Sequence, residues 1–182
     1  MRLTGGLDRG RRLFVPRGSR TRPTASKVRE AIFNILGPPA GAVLDLYAGS
    51  GALGFEALSR GAPRAVFVER DGAALSALRR NLREGGLEDR ASVIGSDVRS
   101  ALRKLAGGEE RFSWVFIDPP YIKETEGVLA ELSGGDLLTD CAVVIVEHDR
   151  RHPSPPSVGC LFLTDRRQYG DTELSFYRCS GS

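Results

Sequence analysis

The chain has 182 residues, of which 41% are hydrophobic and 27% charged, a composition typical of one soluble globular domain. It contains no apolar run near the ~20 residues of a membrane span, and its arginine-rich start lacks the apolar stretch of a signal peptide. We therefore expect a cytoplasmic protein. The three cysteines lie far apart and form no C-x-x-C pair, so we expect three reduced thiols and no zinc or other metal site.

Most of the positive charge lies in the first thirty residues. The net charge of the chain is +3, but residues 1–30 hold eight arginines and one lysine against two acids, a balance of +7 that leaves −4 for the rest. A solvated tail is one interpretation, and a phosphate-rich partner such as RNA explains the location better. The candidate RNA-binding residues of this region are Arg2, Arg9, Arg11, Arg12, Arg17, Arg20 and Lys27.

Residues 1–36 are predicted to form a basic hairpin and a helix that extend the same domain. Two short apolar segments flank a charged, glycine-rich turn, which favours a hairpin. Thr24 is the expected N-cap of a helix that ends at the Gly-Pro-Pro of residues 37–39. This helix should bury one apolar stripe, formed by Val28, Ile32, Ile35 and Leu36.

Strand-like and helix-like segments alternate from residue 37 to the end of the chain. Buried strands are predicted at residues 42–46, 65–68, 91–94, 114–117 and 142–146, and helices near residues 51–60, 71–84, 97–106 and 124–132. This alternation indicates an α/β fold with a parallel sheet covered on both faces. Residues 160–178 predict an antiparallel hairpin at the sheet edge. Trp114 and Phe116 are expected in the core, and His148 on the surface at a strand end.

The segment LDLYAGSGALG, residues 44–54, contains the G-x-G-x-x-G pattern at Gly49, Gly51 and Gly54. It follows a predicted strand and opens a predicted helix, as a nucleotide-binding loop does. Glu69 ends the next strand, at the place where an acid can bind both ribose hydroxyls. The pattern therefore favours an adenosine-type ligand with an unphosphorylated ribose, against the alternative of a tight turn beside an unrelated acid.

Two more carboxylates help to distinguish between cofactors. Asp45 precedes Gly49 by four residues, and a carboxylate there suits a ligand that carries positive charge and no phosphate. S-adenosylmethionine has an ammonium and a sulfonium group and meets that description. Asp97 follows the third strand, where it can accept from the adenine amine or cap the next helix, and the two roles can coexist.

The segment Asp118, Pro119, Pro120 and Tyr121 ends the fourth predicted strand. Two prolines stiffen the turn, so the Asp118 carboxylate and the Pro119 carbonyl present two fixed acceptors. Two acceptors match the two hydrogens of an exocyclic NH₂ group, and the Tyr121 ring can stack on a base. A proline turn that merely ends a strand is the structural alternative.

Several segments together resemble a known family: RPTASKVREAIFNIL, VLDLYAGSGALGFEALSRGA, VFVERD, FIDPPY and YGDTELSFY. They are similar to the bacterial methyltransferases that modify a guanine N2 in small-subunit (16S) ribosomal RNA, the RsmD type. The resemblance implies a Rossmann-like class I S-adenosylmethionine-dependent methyltransferase. It also implies a seven-stranded, mostly parallel sheet with an antiparallel C-terminal strand, and an assembling small ribosomal subunit as substrate.

The resemblance also assigns roles by position. It implies that the catalytic residues are Asp118, Pro119, Pro120 and Tyr121. The residues implied for S-adenosylmethionine are Arg22, Thr24, Asp45, Tyr47, Ala48, Gly49, Ser50, Gly51, Glu69, Arg70, Asp97, Val98 and Asp118. Arg167 and Tyr169 in the C-terminal hairpin join the RNA-binding set. The segment after Tyr121 is less distinctive, and we expect a monomer.

Three alternatives remain open. An NAD-linked oxidoreductase accounts for the glycines and Glu69 but gives no role to residues 118–121. An amino-methyltransferase acting on adenine N6 or on a protein glutamine would use the same two acceptors. An RNA-binding protein without activity would keep the basic segment but has no need of the intact 118–121 motif.

Overall fold

The structure, a computed structural model, describes residues 1–16, 26–119 and 125–179. The helices are α1 (Ser26–Leu36), α2 (Ala52–Ser59), α3 (Gly72–Gly85), α4 (Val98–Ala106) and α5 (Thr125–Gly134). The strands are β1 (Val43–Leu46), β2 (Ala65–Glu69), β3 (Ala91–Gly95), β4 (Phe112–Ile117), β5 (Leu138–Asp149), β6 (Ser157–Val158), β7 (Leu161–Tyr169) and β8 (Thr172–Cys179).

The described strands form one sheet in the order β3-β2-β1-β4-β5-β8-β7-β6. Strands β1 to β5 run parallel, and β8 is antiparallel to both β5 and β7, as expected for the C-terminal strand. The count of seven strands was wrong: β6 adds a two-residue strand paired with β7 at the edge. Such a short segment has no periodic signal in the sequence, so its pairing depends on the neighbouring strand.

Alternate residues of each central strand enter two separate cores. On one face, Trp114 and Phe116 of β4 pack against Phe33 of α1, with ring centroids 5.4 and 6.2 Å from that ring. On the other face, Val115 and Ile117 join the side chains of α4 and α5. Helices α1, α2 and α3 therefore cover one face and α4 and α5 the other, which confirms the predicted covered parallel sheet and the core roles of Trp114 and Phe116.

Helix α1 turns a different face to the core than its apolar pattern predicts. Val28 and Ile32 are buried as expected, but Ile35 is 40% exposed. Arg29 and Phe33 are buried as well. Arg29 can be buried because it forms an ion pair with Glu56 of α2, and Phe33 packs against Trp114 and Phe116. The pattern could not show this, because an arginine normally marks the solvent face of a helix. The expected N-cap, Thr24, lies outside the described residues.

Two of the three cysteines are not the free thiols expected from their spacing. Cys160 and Cys179 form a disulfide, with their Cα atoms 5.0 Å apart, and Cys141 is free and exposed. Leu161 pairs with Cys179 across β7 and β8, so the preceding Cys160 comes next to that strand. The 19-residue separation along the chain concealed a contact that the strand register creates.

Candidate functional site

The loops after the first four strands meet at the carboxyl edge of the sheet. Strand β1 has β2 on one side and β4 on the other, so the chain order reverses between β1 and β4. Open α/β sheets bind ligands at such a switch point. Leu46 pairs with Ile117, which places the glycine-rich loop after β1 beside Asp118 and Pro119 after β4. The predicted cofactor loop and the described half of the predicted target motif are therefore neighbours.

The glycine-rich loop, residues 47–51, has a left-handed backbone at three positions: Tyr47 (φ 60°), Gly49 (φ 56°) and Gly51 (φ 83°). Gly51 precedes α2, and a Cβ there would lie 2.5 Å from Leu78 Cδ1 of α3. A Cβ on Gly49 would meet nothing within 4 Å among the described residues. Gly51 is thus needed for packing, and Gly49 leaves room for a close ligand.

Asp45 of β1 contacts the first turn of α2, directly after this loop. Its carboxylate is buried and accepts a hydrogen bond from the Gly54 N–H, at 2.9 Å. Burial raises the pKa of Asp45 to about 8, with a smaller contribution from the negative charge of Glu69, while the Gly54 hydrogen bond opposes the shift. Asp45 therefore braces the first turn of α2, and its expected attraction for a cationic ligand stays a prediction.

Glu69 links the end of β2 to the glycine-rich loop. One carboxylate oxygen accepts from the Gly49 N–H at 2.7 Å. The other accepts from the N–H groups of Arg70 and Asp71, at 2.7 and 2.8 Å. These three bonds hold the acid beside the first glycine of the loop, where its expected ribose contact would be made. Arg70 itself is exposed.

Asp97 is the N-cap of α4. Its carboxylate accepts from Ser100 N–H at 3.0 Å. Hydrogen bonds from the Ser100 side chain and then from the Ser100 N–H lower the pKa of Asp97. The capping role is therefore confirmed, and contact with adenine stays a prediction. The next residue, Val98, is buried in the core that α4 covers.

Several predicted site residues lie outside the described ranges: Arg17, Arg20, Arg22, Thr24, Pro120 and Tyr121. Asp118 and Pro119 are described and half-buried at the end of β4.

The N-terminal segment, residues 1–16, is fastened to the domain. Leu3 and Leu13 enter the core beside α1 to α3, and a single antiparallel bridge joins Arg2 to Arg12. Arg2, Arg9, Arg12 and Lys27 are exposed. Arg11 differs from them, since it forms an ion pair with Asp8 at 3.0 Å and reaches the Gly85 carbonyl. Four described members of the predicted RNA-binding set thus face solvent.

Residues of the C-terminal hairpin divide between surface and core. Arg167 is exposed and pairs with Asp165 at 2.8 Å, while Tyr169 packs partly against the core.

The expectation of a surface His148 was wrong, because His148 is buried with Nε2 2.8 Å from Ser175 Oγ. Strand β5 continues past Val146, so His148 pairs inside the sheet with β8.

No helix in the described part of the chain is long and apolar enough to cross a membrane. No group of three or more His, Cys, Asp or Glu side chains among those residues is arranged to hold a metal ion.

The parallel sheet, the glycine-rich loop at the switch point and the acid after β2 form a Rossmann-like fold. Together with the family and the relatives given next, this fold places the chain in the class of S-adenosylmethionine-dependent methyltransferases. Within that class, the chain belongs to the family described as Conserved hypothetical protein 95, whose profile matches residues 1–178 and which comprises the RsmD-type rRNA methyltransferases. The predicted family and cofactor class are thereby confirmed.

Relatives match this chain over most of its length. YlbH of Bacillus subtilis (strain 168), named provisionally as an rRNA methyltransferase, is 39% identical and both chains are covered completely. Ribosomal RNA small subunit methyltransferase D of Escherichia coli (strain K12) is 39% identical over 85% of this chain and 78% of its own. The solved structure of yhhF from Escherichia coli, named provisionally as a methyltransferase, superposes with a TM-score of 0.86 at 33% identity, covering 100% and 99% of the two chains.

Proposed function

We propose that this protein transfers the methyl group of S-adenosylmethionine to the exocyclic N2 amine of a guanine in 16S rRNA, within the assembling small ribosomal subunit. The observation that carries the proposal is the position of Asp118 and Pro119 at the end of β4, directly beside the glycine-rich loop after β1. This juxtaposition brings a pair of hydrogen-bond acceptors next to the expected cofactor loop.

The residues around the glycine-rich loop fit S-adenosylmethionine. Asp45 is buried next to the loop, and a cationic ligand there would favour its ionised form over the protonated form that burial favours. Glu69 already accepts three hydrogen bonds, which leaves one lone pair of Oε2 for a ribose hydroxyl. Asp97 is exposed at the start of α4, where it would accept from the adenine amine. When bound, the cofactor supplies an electrophilic methyl group on a sulfonium.

The 118–121 motif would position the acceptor nitrogen. The Asp118 carboxylate and the Pro119 carbonyl accept the two amine hydrogens, and Tyr121 stacks on the base. With both hydrogens held, the nitrogen lone pair would be aligned to take the methyl group that the bound cofactor supplies. The proton that the nitrogen then releases would pass to the Asp118 carboxylate or to water. The chain's contribution is orientation, so the reaction needs no strong base.

The exposed arginines of the N-terminal segment support an RNA substrate. Arg2, Arg9 and Arg12 present positive charge to solvent on a segment that is held against the domain. Phosphate groups would bind there and orient the substrate. A guanine paired in a helix could not reach Asp118, which is half-buried, so the target base must be unpaired or flipped out.

Methyl transfer to isolated ribosomal particles tests the proposal. Small subunits from a strain that lacks this protein are incubated with the enzyme and cofactor labelled in the methyl group, and the RNA is then digested to nucleosides. The proposal expects the label in N2-methylguanosine. Label in N6-methyladenosine or in protein glutamine would show that the protein acts on an adenine or on a protein and not on a guanine. Tighter binding of NAD than of S-adenosylhomocysteine would show that it is an NAD-linked enzyme and not a methyltransferase.

A further inference from the structure

Asn81 of α3 joins two segments that are far apart in the chain. Its side-chain oxygen accepts from Phe14 N–H at 2.7 Å. Its amide nitrogen donates to the carbonyls of Phe14 and Ser50, at 3.0 and 3.1 Å. Phe14 belongs to the N-terminal segment and Ser50 to the glycine-rich loop, so one buried side chain holds both.

The bonding at Asn81 requires an amide. A primary amide has two donor hydrogens and one acceptor oxygen, and here each donor and the acceptor has a partner. An aspartate of the same shape would keep the acceptor and lose both donors. Its charge would also lie against two carbonyl oxygens, so the isosteric change is strongly unfavourable.

The same face of α3 shapes the loop. Leu78, three residues before Asn81, lies where it would touch a Cβ on Gly51. The N-terminal segment has a second attachment at Thr4, which donates to Glu56 of α2 through N–H and Oγ1 at 2.8 and 2.7 Å. Since α2 begins directly after Gly51, both attachments of the segment lead to the glycine-rich loop.

We infer that Asn81 is a positioning residue that couples the N-terminal segment to the glycine-rich loop. The identity of the two ligands, RNA on the segment and S-adenosylmethionine on the loop, rests on the proposed function.

Coupling of this kind is reciprocal. A ligand that orders the loop must also steady the Phe14 peptide, and a partner that orders the segment must strengthen cofactor binding by the same factor. Coupling between sites commonly amounts to about 5- to 150-fold. We expect about tenfold here, because three hydrogen bonds through one residue carry the link.

Amide hydrogen exchange on the full chain measures the link directly. In the unaltered protein, saturating S-adenosylhomocysteine should slow exchange of the Phe14 amide about tenfold. In Asn81→Asp the same addition should still protect the loop amides but leave Phe14 unchanged. Calorimetry should show S-adenosylhomocysteine binding about tenfold more weakly to Asn81→Asp.

Two control variants separate positioning from general stability. Phe14→Ala keeps the backbone groups that bind Asn81 and should keep the coupling. Leu102→Ala removes a buried side chain from the opposite core, and it should lower stability without weakening cofactor binding. Equal weakening by Leu102→Ala and Asn81→Asp would overturn the inference.

If Asn81→Asp does not fold, the exchange of the Phe14 amide in the unaltered protein still tests the inference. Unchanged Phe14 exchange on cofactor addition would overturn the inference. Coupling present in a protein that methylates no RNA would refute the proposed function and leave the role of Asn81 standing.

Discussion

Arg29 and Glu56 form an ion pair inside the protein, with both side chains fully buried and 3.8 Å between Nε and Oε2. Glu56 also accepts from Thr4 and from Arg60 Nε, the latter at 2.9 Å. Arg29 donates to the Arg2 carbonyl at 2.8 Å. Charged groups thus hold the N-terminal segment and α1 against α2, the helix that begins at the glycine-rich loop.

Glu56→Gln should lower the free energy of unfolding by up to about 3–5 kcal/mol, because it removes the counter-charge paired with the buried Arg29 cation and leaves the weaker attraction of Glu147. Burial already lowers the pKa of Arg29, and Glu56 and Glu147 oppose that shift. The control is Glu84→Gln, which removes an exposed i,i+4 pair with Arg80 and should cost about 0.5 kcal/mol or less. Denaturant titration measures both, and equal losses would contradict a stabilising role for the buried pair.

Gly54→Ala should destabilise the protein by about 1–3 kcal/mol through overpacking. A Cβ at this position would collide with the Phe67 ring of β2, with Cζ only 2.7 Å away. Gly72→Ala is the matched control, because a Cβ there meets nothing within 4 Å among the described residues. That change should stabilise by about 0.4–1 kcal/mol. Thermal unfolding measures both variants. A lower Tm for Gly54→Ala and a higher Tm for Gly72→Ala would confirm that the third glycine of the loop motif is needed for helix–strand packing.

The sequence predicted the helices and central strands well because their patterns are local. Each parallel strand is a nearly continuous apolar run, and α3 and α4 begin at the recognisable caps Asp71 and Asp97. The loop and the acid after β2 could also be placed, since they follow strands that end at one sheet edge. These features depend on neighbours within a few residues along the chain.

Other features depend on contacts that no local pattern reveals. The burial of His148, the pairing of Cys160 with Cys179 and the inward-facing Arg29 each follow from the register of distant segments. Asn81 is similar, since its partners lie 67 and 31 residues away. Glu56 is a charged residue within the mostly apolar helix α2, and this position is a local sign of the buried Arg29–Glu56 ion pair.

The pH dependence of stability should reveal Asp45. Its pKa is raised to about 8 in the folded protein and lies near 3.8 in the unfolded chain. Between these values the folded state retains a proton that the unfolded state has lost, so this contribution to stability falls as pH rises from about 4 to 8. Relative to Asp45→Asn, the unaltered protein should therefore be more stable at pH 5 than at pH 7.5. Parallel profiles from denaturant titrations would show that Asp45 is ionised when folded.

Removing Arg9 and Arg12 together should weaken RNA binding and reduce its salt dependence. Each phosphate contact to single-stranded nucleic acid contributes about 0.7 to the slope of log affinity against log salt, so the loss should be about 1.4. Arg103→Ala is the control, because Arg103 is exposed on α4, which covers the opposite face of the sheet. Binding of S-adenosylhomocysteine should not change in either variant. An unaltered salt slope would exclude phosphate contacts by these arginines.

Asp118→Ala should lower the rate of methyl transfer by about two orders of magnitude or more, the scale seen when one transition-state contact is removed. Affinity for S-adenosylhomocysteine should fall far less than the rate, because the proposal places the two acceptors against the base, although Asp118 is also implied to contact the cofactor. Tyr121→Ala should cost about 1–3 kcal/mol of stacking, and Tyr121→Phe less, since the ring survives. Single-turnover rates with small subunits give the ordering. Near-normal turnover in Asp118→Ala together with inactive Tyr121→Phe would make the tyrosine hydroxyl the reacting group and end the two-acceptor mechanism.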